Sequence, residues 1–181
     1  MNGEQIRQTI ENCISGRLFC SVLNKFEYEY RHLLPVKSSE GLFLSMIESG
    51  MSLDGCLIER FENVGHAVPA GDFARRIADR EGVFDSLEVP PIEIDTFSQI
   101  FAYLVNNVCP VCLECGSTDD RAITLLTGLV TDCSDVSLRF QRFGNDLRWA
   151  GKPVTIPYEA VVRLTFGTRA LSDIGKILPK R

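Results

Sequence analysis

The sequence predicts an α+β, mainly β protein made of two duplicated helix–small-β-barrel–helix units. Three observations lead there. An amphipathic helical stretch heads each half. Each helix then runs into four or five short stretches rich in β-branched and aromatic residues, separated by Gly, Asp, Asn and Ser. Both halves also close on the same marker, Phe61-Glu62-Asn63-Val64 and Tyr158-Glu159-Ala160-Val161.

The elements follow in chain order. Ile6, Ile10, Cys13 and Ile14 fall on one face of a leading helix. The runs "RLFCSVLN", "YEYRHLLPVKSS", "EGLFLSMIES" and "DGCLIERFENVGHAV" read as strands, and a short helix over 72–81 has Phe73, Ile77 and Ala78 apolar. The segment 82–94, with the Pro90-Pro91 pair, reads as a linker between a first domain, 1–81, and a second, 95–181. Phe97, Ile100, Phe101, Leu104, Val105 and Val108 then form one helical stripe, with Asp95 or Thr96 placed to cap it. The strand-like runs "CPVCLECG", "AITLLTGLVTDCS", "DVSLRFQRFGNDLRW" and "KPVTIPYEAVVRLTF" follow, and a last helix over 169–178 has Leu171, Ile174 and Ile177 apolar. In "SLRFQ", Leu138 and Phe140 alternate with Arg139 and Gln141, which predicts one buried and one solvent face.

Blocks of about sixty residues with short strands suit closure into a small SH3-like barrel, which leaves few sheet edges exposed. The second block also resembles the Sm-like family. "LLTGLVTDCSDVSLRFQRF" is similar to the first Sm motif, in which a Gly lets a strongly bent strand pass, an Asp follows in a turn, and an alternating strand comes next. "VTIPYEAVVRLTF" looks like that family's two closing strands. In RNA-binding bacterial members the resemblance implies a Lys-His pair near the closing turn. This chain departs from it, with Glu159 in one half and Glu62 in the other. An acid beside a phosphate path opposes binding, because affinity there rests on cation–phosphate contacts.

Charge and composition bound the function. The net charge of −5 argues against a protein that coats nucleic acid over its whole surface. From Val136 onward, however, nine basic residues stand against three acidic ones, so that stretch carries +6 and the remainder −11. This is either a solvated face or a local basic surface. As an RNA surface it would use Arg139, Arg142, Arg148 and Arg163, with Phe143 and Trp149 as stacking platforms. Trp149 follows the turn signal "GND" and is read either as exposed or as a core plug. The opening residues lack a signal-peptide pattern, and no apolar run reaches the roughly 20 residues of a membrane helix. With an odd count of seven cysteines, the expectation is a cytoplasmic chain with reduced thiols.

"CPVCLECG" admits two readings. Cys109, Cys112 and Cys115, with Cys133 recruited from a neighbouring strand, would supply four zinc ligands. On a regular strand, Cys109 and Cys115 share a face and Cys112 turns away, which makes them packing and surface thiols. An iron–sulfur run would need a further Cys at position 119, which holds Asp119. Glu27 and Glu29 alternate with Tyr28 and Tyr30 along predicted strand sequence, share one face, and read as a solvated face without a pocket. His32 and His66 are the only histidines, and no nucleophile elbow or phosphate-binding Gly-rich loop is present. The sequence therefore points to a non-enzymatic binding or adaptor protein acting by protein–protein interaction or self-assembly. An RNA-associated regulator and a zinc-stabilised protein are the alternatives.

Overall fold

Capped helices and short strands divide the chain into two units, Met1–Pro91 and Ile92–Arg181. The structure is a computed structural model, and it describes residues 1–50, 52–71, 76, 79–80, 82–85, 87–116, 123–144, 146 and 148–177. The apolar positions of the predicted helix 72–81 (Phe73, Ile77 and Ala78), together with Asp119, Leu178, Lys180 and Arg181, lie outside the described residues.

In the first unit, helix α1 (Gly3–Gly16) starts at Asn2, whose side chain accepts from the Gln5 amide while the Gln5 side chain accepts from the Asn2 amide. Its Ile6, Ile10 and Cys13 pack with Cys20, Val22, Leu33, Phe43, Leu57 and Phe61 in the core. Arg7 fastens the helix to the next turn but one, donating to the carbonyls of Ser39 (3.0 Å) and Glu40 while its guanidinium lies 4.4 Å from the centre of the Phe61 ring. Strands β1 (Cys20–Asn24), β2 (Arg31–Ser38), β3 (Leu42–Ser49), β4 (Ser52–Arg60) and β5 (Val64–Pro69) run antiparallel in the order β5-β1-β2-β3-β4. A single 3-10 turn, Phe61–Asn63, separates β4 from β5.

The second unit repeats this order. Helix α2 (Phe97–Asn106) is capped by Thr96 through the same reciprocal bonding with Gln99. Strands β6 (Pro110–Gly116), β7 (Ile123–Cys133), β8 (Ser137–Phe143), β9 (Trp149–Pro157) and β10 (Val161–Phe166) are ordered β10-β6-β7-β8-β9, with a 3-10 turn at Tyr158–Ala160. Helix α3 (Arg169–Ile177) follows. Local hydrogen bonds recur as well. The Ser39 amide donates to the Leu42 carbonyl and the Ser134 amide to the Ser137 carbonyl, both at 2.8 Å. The Phe61 amide donates to Gly41 at 3.1 Å and the Tyr158 amide to Val136 at 2.9 Å.

The fold differs from the expected pair of helix–barrel–helix units. The strands form open antiparallel sheet, ten in all, and three α-helices stand among the described residues. β5 pairs with β1 and β10 with β6, and neither returns to the fourth strand of its own unit. Closure depends on this long-range pairing, to which alternation along one strand is blind. Three finer corrections follow. α2 stops at Asn106, so Val108 leaves the predicted stripe and lies exposed at a φ of 48°. β2 begins at Arg31, which puts Glu27 and Glu29 in a turn. Ile92 and Ile94, at the end of the predicted linker, are buried. No described helix is long and apolar enough to cross a membrane.

Candidate functional site

β8 sets the geometry of the basic surface. A regular strand would turn Arg139 and Arg142, three residues apart, to opposite faces. The β8–β9 register breaks between Phe140 and Arg142: Phe140 pairs with Val154 and Arg142 with Ala150. The extra residues lie on β9, at Gly151 to Pro153, while β8 stays in unbroken register with β7 from Phe140 to Arg142; both arginines are exposed. Gln141, predicted to face solvent, is buried instead, and its amide donates to the carbonyls of Ala150 (3.3 Å) and Gly151 (3.2 Å) that the bulge frees from the ladder. Gly128 on β7 makes room for this bend. A Cβ there would overlap the Gln141 carbonyl oxygen and lie 2.8 Å from two carbons of the Phe140 ring.

Around these arginines the surface is cationic and aromatic. Lys152 and Arg148 are exposed; Arg148 lies 3.9 Å from Asp146, a surface pair worth little energetically. Arg139 and Arg142 make no ion pair among the described residues. Asp132 is the exposed acid on the neighbouring strand, in register with Arg139. At the end of the β8–β9 ladder Phe143 pairs with Trp149, both half-buried, with ring centroids 4.8 Å apart and planes at 51°. Trp149 is thus neither a core plug nor fully exposed.

Arg163 does not join this surface. It is 1% exposed on β10, in register with Glu114 of β6, and its Nη1 lies 3.1 Å and 3.3 Å from the two carboxylate oxygens. Its strand is buried at five of six positions, so the charge serves an internal pair rather than a ligand. Glu159 and Glu62 are exposed on their 3-10 turns.

The cysteines are not brought together as a metal site. Cys109 precedes β6, which runs in unbroken register with β7, so Cys112 and Cys115 project from opposite faces. No group of three or more His, Cys, Asp or Glu able to hold a metal occurs among the described residues. Burial pushes the Cys109 and Cys133 thiols up, and burial followed by the nearby Cys112 and Glu114 pushes Cys115 up to about 11. A raised thiol favours the protonated form, unlike the depressed thiolates that attack substrates.

A feature the sequence reading missed lies in the first unit. The turn between β1 and β2 borders an open cavity of about 670 Å³, lined by Phe26, Tyr28, Glu29, Tyr30, Ile47 and Glu48, with the Glu27–Arg31 pair and His32 beside them. The expectation of a solvated face without a pocket therefore fails. The Tyr30 hydroxyl meets His66 Nδ1 at 3.0 Å, and Ser21 Oγ meets His32 Nδ1 at 2.9 Å. The signal was available: both histidines and two tyrosines sit on or beside strands flanking β1. Compared with protein-family models, curated proteins and solved structures, the chain shows no match.

Proposed function

We propose that this chain is a non-enzymatic binding protein whose second unit takes single-stranded RNA across the outer surface of β8 and β9. One observation carries the reading: Arg139 and Arg142 are both exposed on β8, without ion pairs among the described residues, and Arg142 adjoins the Phe143–Trp149 pair. Cations placed for phosphates next to aromatic rings placed for bases are the recurrent means of holding single strands. Kinship with the Sm-like family belongs to the same proposal. It is supported by the repeated order of one helix, four strands, a three-residue helical turn and a fifth strand. The route to RNA differs from that family's Lys-His pair, because Glu159 occupies the comparable place. The non-enzymatic reading is supported by the Cys109, Cys115 and Cys133 thiols, which burial pushes up. We place the chain in the cytoplasm, in keeping with seven free cysteines. The test is binding of a labelled oligouridine at low salt by the parent and by Arg139→Ala/Arg142→Ala; no affinity, or no loss in the variant, defeats the proposal.

A second reading, self-association through a sheet edge, has its own observation. β9 ends the second unit's strand order, and Gly151, Lys152, Pro153, Val154 and Thr155 are all exposed. Such an edge can add a strand from another copy. Lys152 and Pro153 are also the residues that blunt edges, which is why the RNA reading stands first. Light scattering across a concentration series separates the two.

A further inference from the structure

Gln141 stands where the β8–β9 ladder is interrupted. Between the pairs Phe140–Val154 and Arg142–Ala150, β8 contributes one residue and β9 three, Gly151, Lys152 and Pro153. Pro153 has no N–H to offer, and Gly151 takes a φ of 63°, in the left-handed region that favours glycine. Beyond the gap, the described residues form two register pairs, Arg142–Ala150 and Phe143–Trp149. The Gly144 amide then bonds the Arg148 carbonyl at 2.8 Å. The buried Gln141 side chain spans the gap. Its Nε2 donates to the carbonyls of Ala150 at 3.3 Å and Gly151 at 3.2 Å, and lies 3.5 Å from the Arg142 carbonyl. A buried amide satisfied by main-chain carbonyls fixes the strands that supply them.

We propose that Gln141 is a positioning residue for the RNA surface, a latch that sets where Trp149 stands against Phe143. The inference rests on the RNA reading of this unit. The two β9 carbonyls that Gln141 holds belong to the residues directly after Trp149, so they fix the main chain from which the indole projects. Trp149 and Phe143 pair at the end of the ladder, with ring centres 4.8 Å apart. Without the amide, the bulge becomes a hinge, because Gly151 restricts its own backbone least. Rings set in place before binding spare the cost of ordering them on the ligand. Gln141 is 6% exposed, so it acts through Trp149 rather than by touching RNA.

The test uses the full chain and a fluorescein-labelled twelve-residue oligouridine, with affinity read by anisotropy. Acrylamide quenching of Trp149, the single tryptophan, is measured without RNA. Gln141→Met keeps the side-chain length and removes the donor. It should lower affinity about tenfold, the scale of lost base stacking, and raise the quenching. In a Trp149→Ala background the same replacement should change affinity by about twofold or less, since nothing is left to position. A merely structural glutamine would weaken binding equally in both backgrounds. Should Gln141→Met fail to melt cooperatively, Gln141→Asn takes its place with the same expectations, since it keeps the amide and shortens its reach. A parent that binds no oligouridine defeats the RNA reading, and the positioning role with it. With a binding parent, unaltered affinity, unaltered quenching or equal losses in the two backgrounds overturns the latch alone.

Discussion

Trp149 lies 4.8 Å, ring centre to ring centre, from Phe143, its register partner across the β8–β9 ladder. Each ring is half-buried, so each keeps a part in solvent. If that pair is a platform for bases, Trp149→Ala should lower oligouridine affinity on the order of tenfold, within the range of base–aromatic stacking. Trp149→Phe should retain most of it. Anisotropy titrations beside thermal melts separate the roles: a merely structural tryptophan loses melting temperature while affinity stays.

Arg163 and Arg139 give a contrast within one unit. Removing Arg163 strands the Glu114 carboxylate in a buried strand pair. Arg163→Ala should cost about 3–5 kcal/mol of unfolding free energy in a urea titration. Arg139→Ala, at an exposed position, should change it by about 0.5 kcal/mol or less. Equal effects would place both arginines in the same environment, against the structure.

Gly128 holds the bend of β7. Ala there must displace the Gln141 carbonyl or the Phe140 ring, and backbone yields least. Gly128→Ala should destabilise the protein by about 1–3 kcal/mol, measured by urea unfolding. It should also weaken RNA binding, since Gly128 is the register partner of Arg142. Parent stability would show that the strands pass one another with room to spare.

How far these features were legible in the sequence differs residue by residue. The 3.6-residue stripes at Ile6–Cys13 and Phe97–Leu104 and the Phe/Tyr-Glu-x-Val marker found their helices and 3-10 turns, because those signals are local. Alternation in "SLRFQ" placed Leu138, Arg139 and Phe140 correctly and failed at Gln141, because the bulge in the neighbouring strand β9 supplies carbonyls that bury its amide. Charge counting put Arg163 on the surface, although the apolar residues around it in "VVRLTF" mark a strand buried on both faces. Sheet closure was invisible, since it depends on which strands meet, and the cavity at Tyr28 and Tyr30 was marked only by the histidines and tyrosines beside β1.

Alkaline pH should ionise two acids that the fold holds protonated, half-buried Cys115 and buried Tyr158. Cys115 is pushed up to about 11 and Tyr158 to about 12, burial being the main cause for each, and Cys133 adds to the effect at Tyr158. The Tyr158 hydroxyl donates to the Ser134 carbonyl at 2.5 Å, a bond that needs the proton. The folded state therefore holds both protons more tightly than the unfolded chain. This contribution is complete below about pH 9 and is lost as pH rises through 11 and 12. Urea unfolding should show a fall of roughly 2 kcal/mol between pH 8 and 11, and a smaller one in Cys115→Ser. A flat profile would contradict the burial of both groups.

Trp149 is the chain's single tryptophan, so its emission reports directly on the surface proposed to bind RNA. The decisive measurement is titration of that emission with a twelve-residue oligouridine from low to moderate salt, for the parent and for Arg139→Ala/Arg142→Ala. The account predicts saturable quenching, with affinity that falls as salt rises. In the variant, the slope of log affinity against log salt should be shallower by about 1.4, the share of two phosphate contacts on a single strand. Unchanged emission at low salt, or an identical slope in the variant, would contradict it.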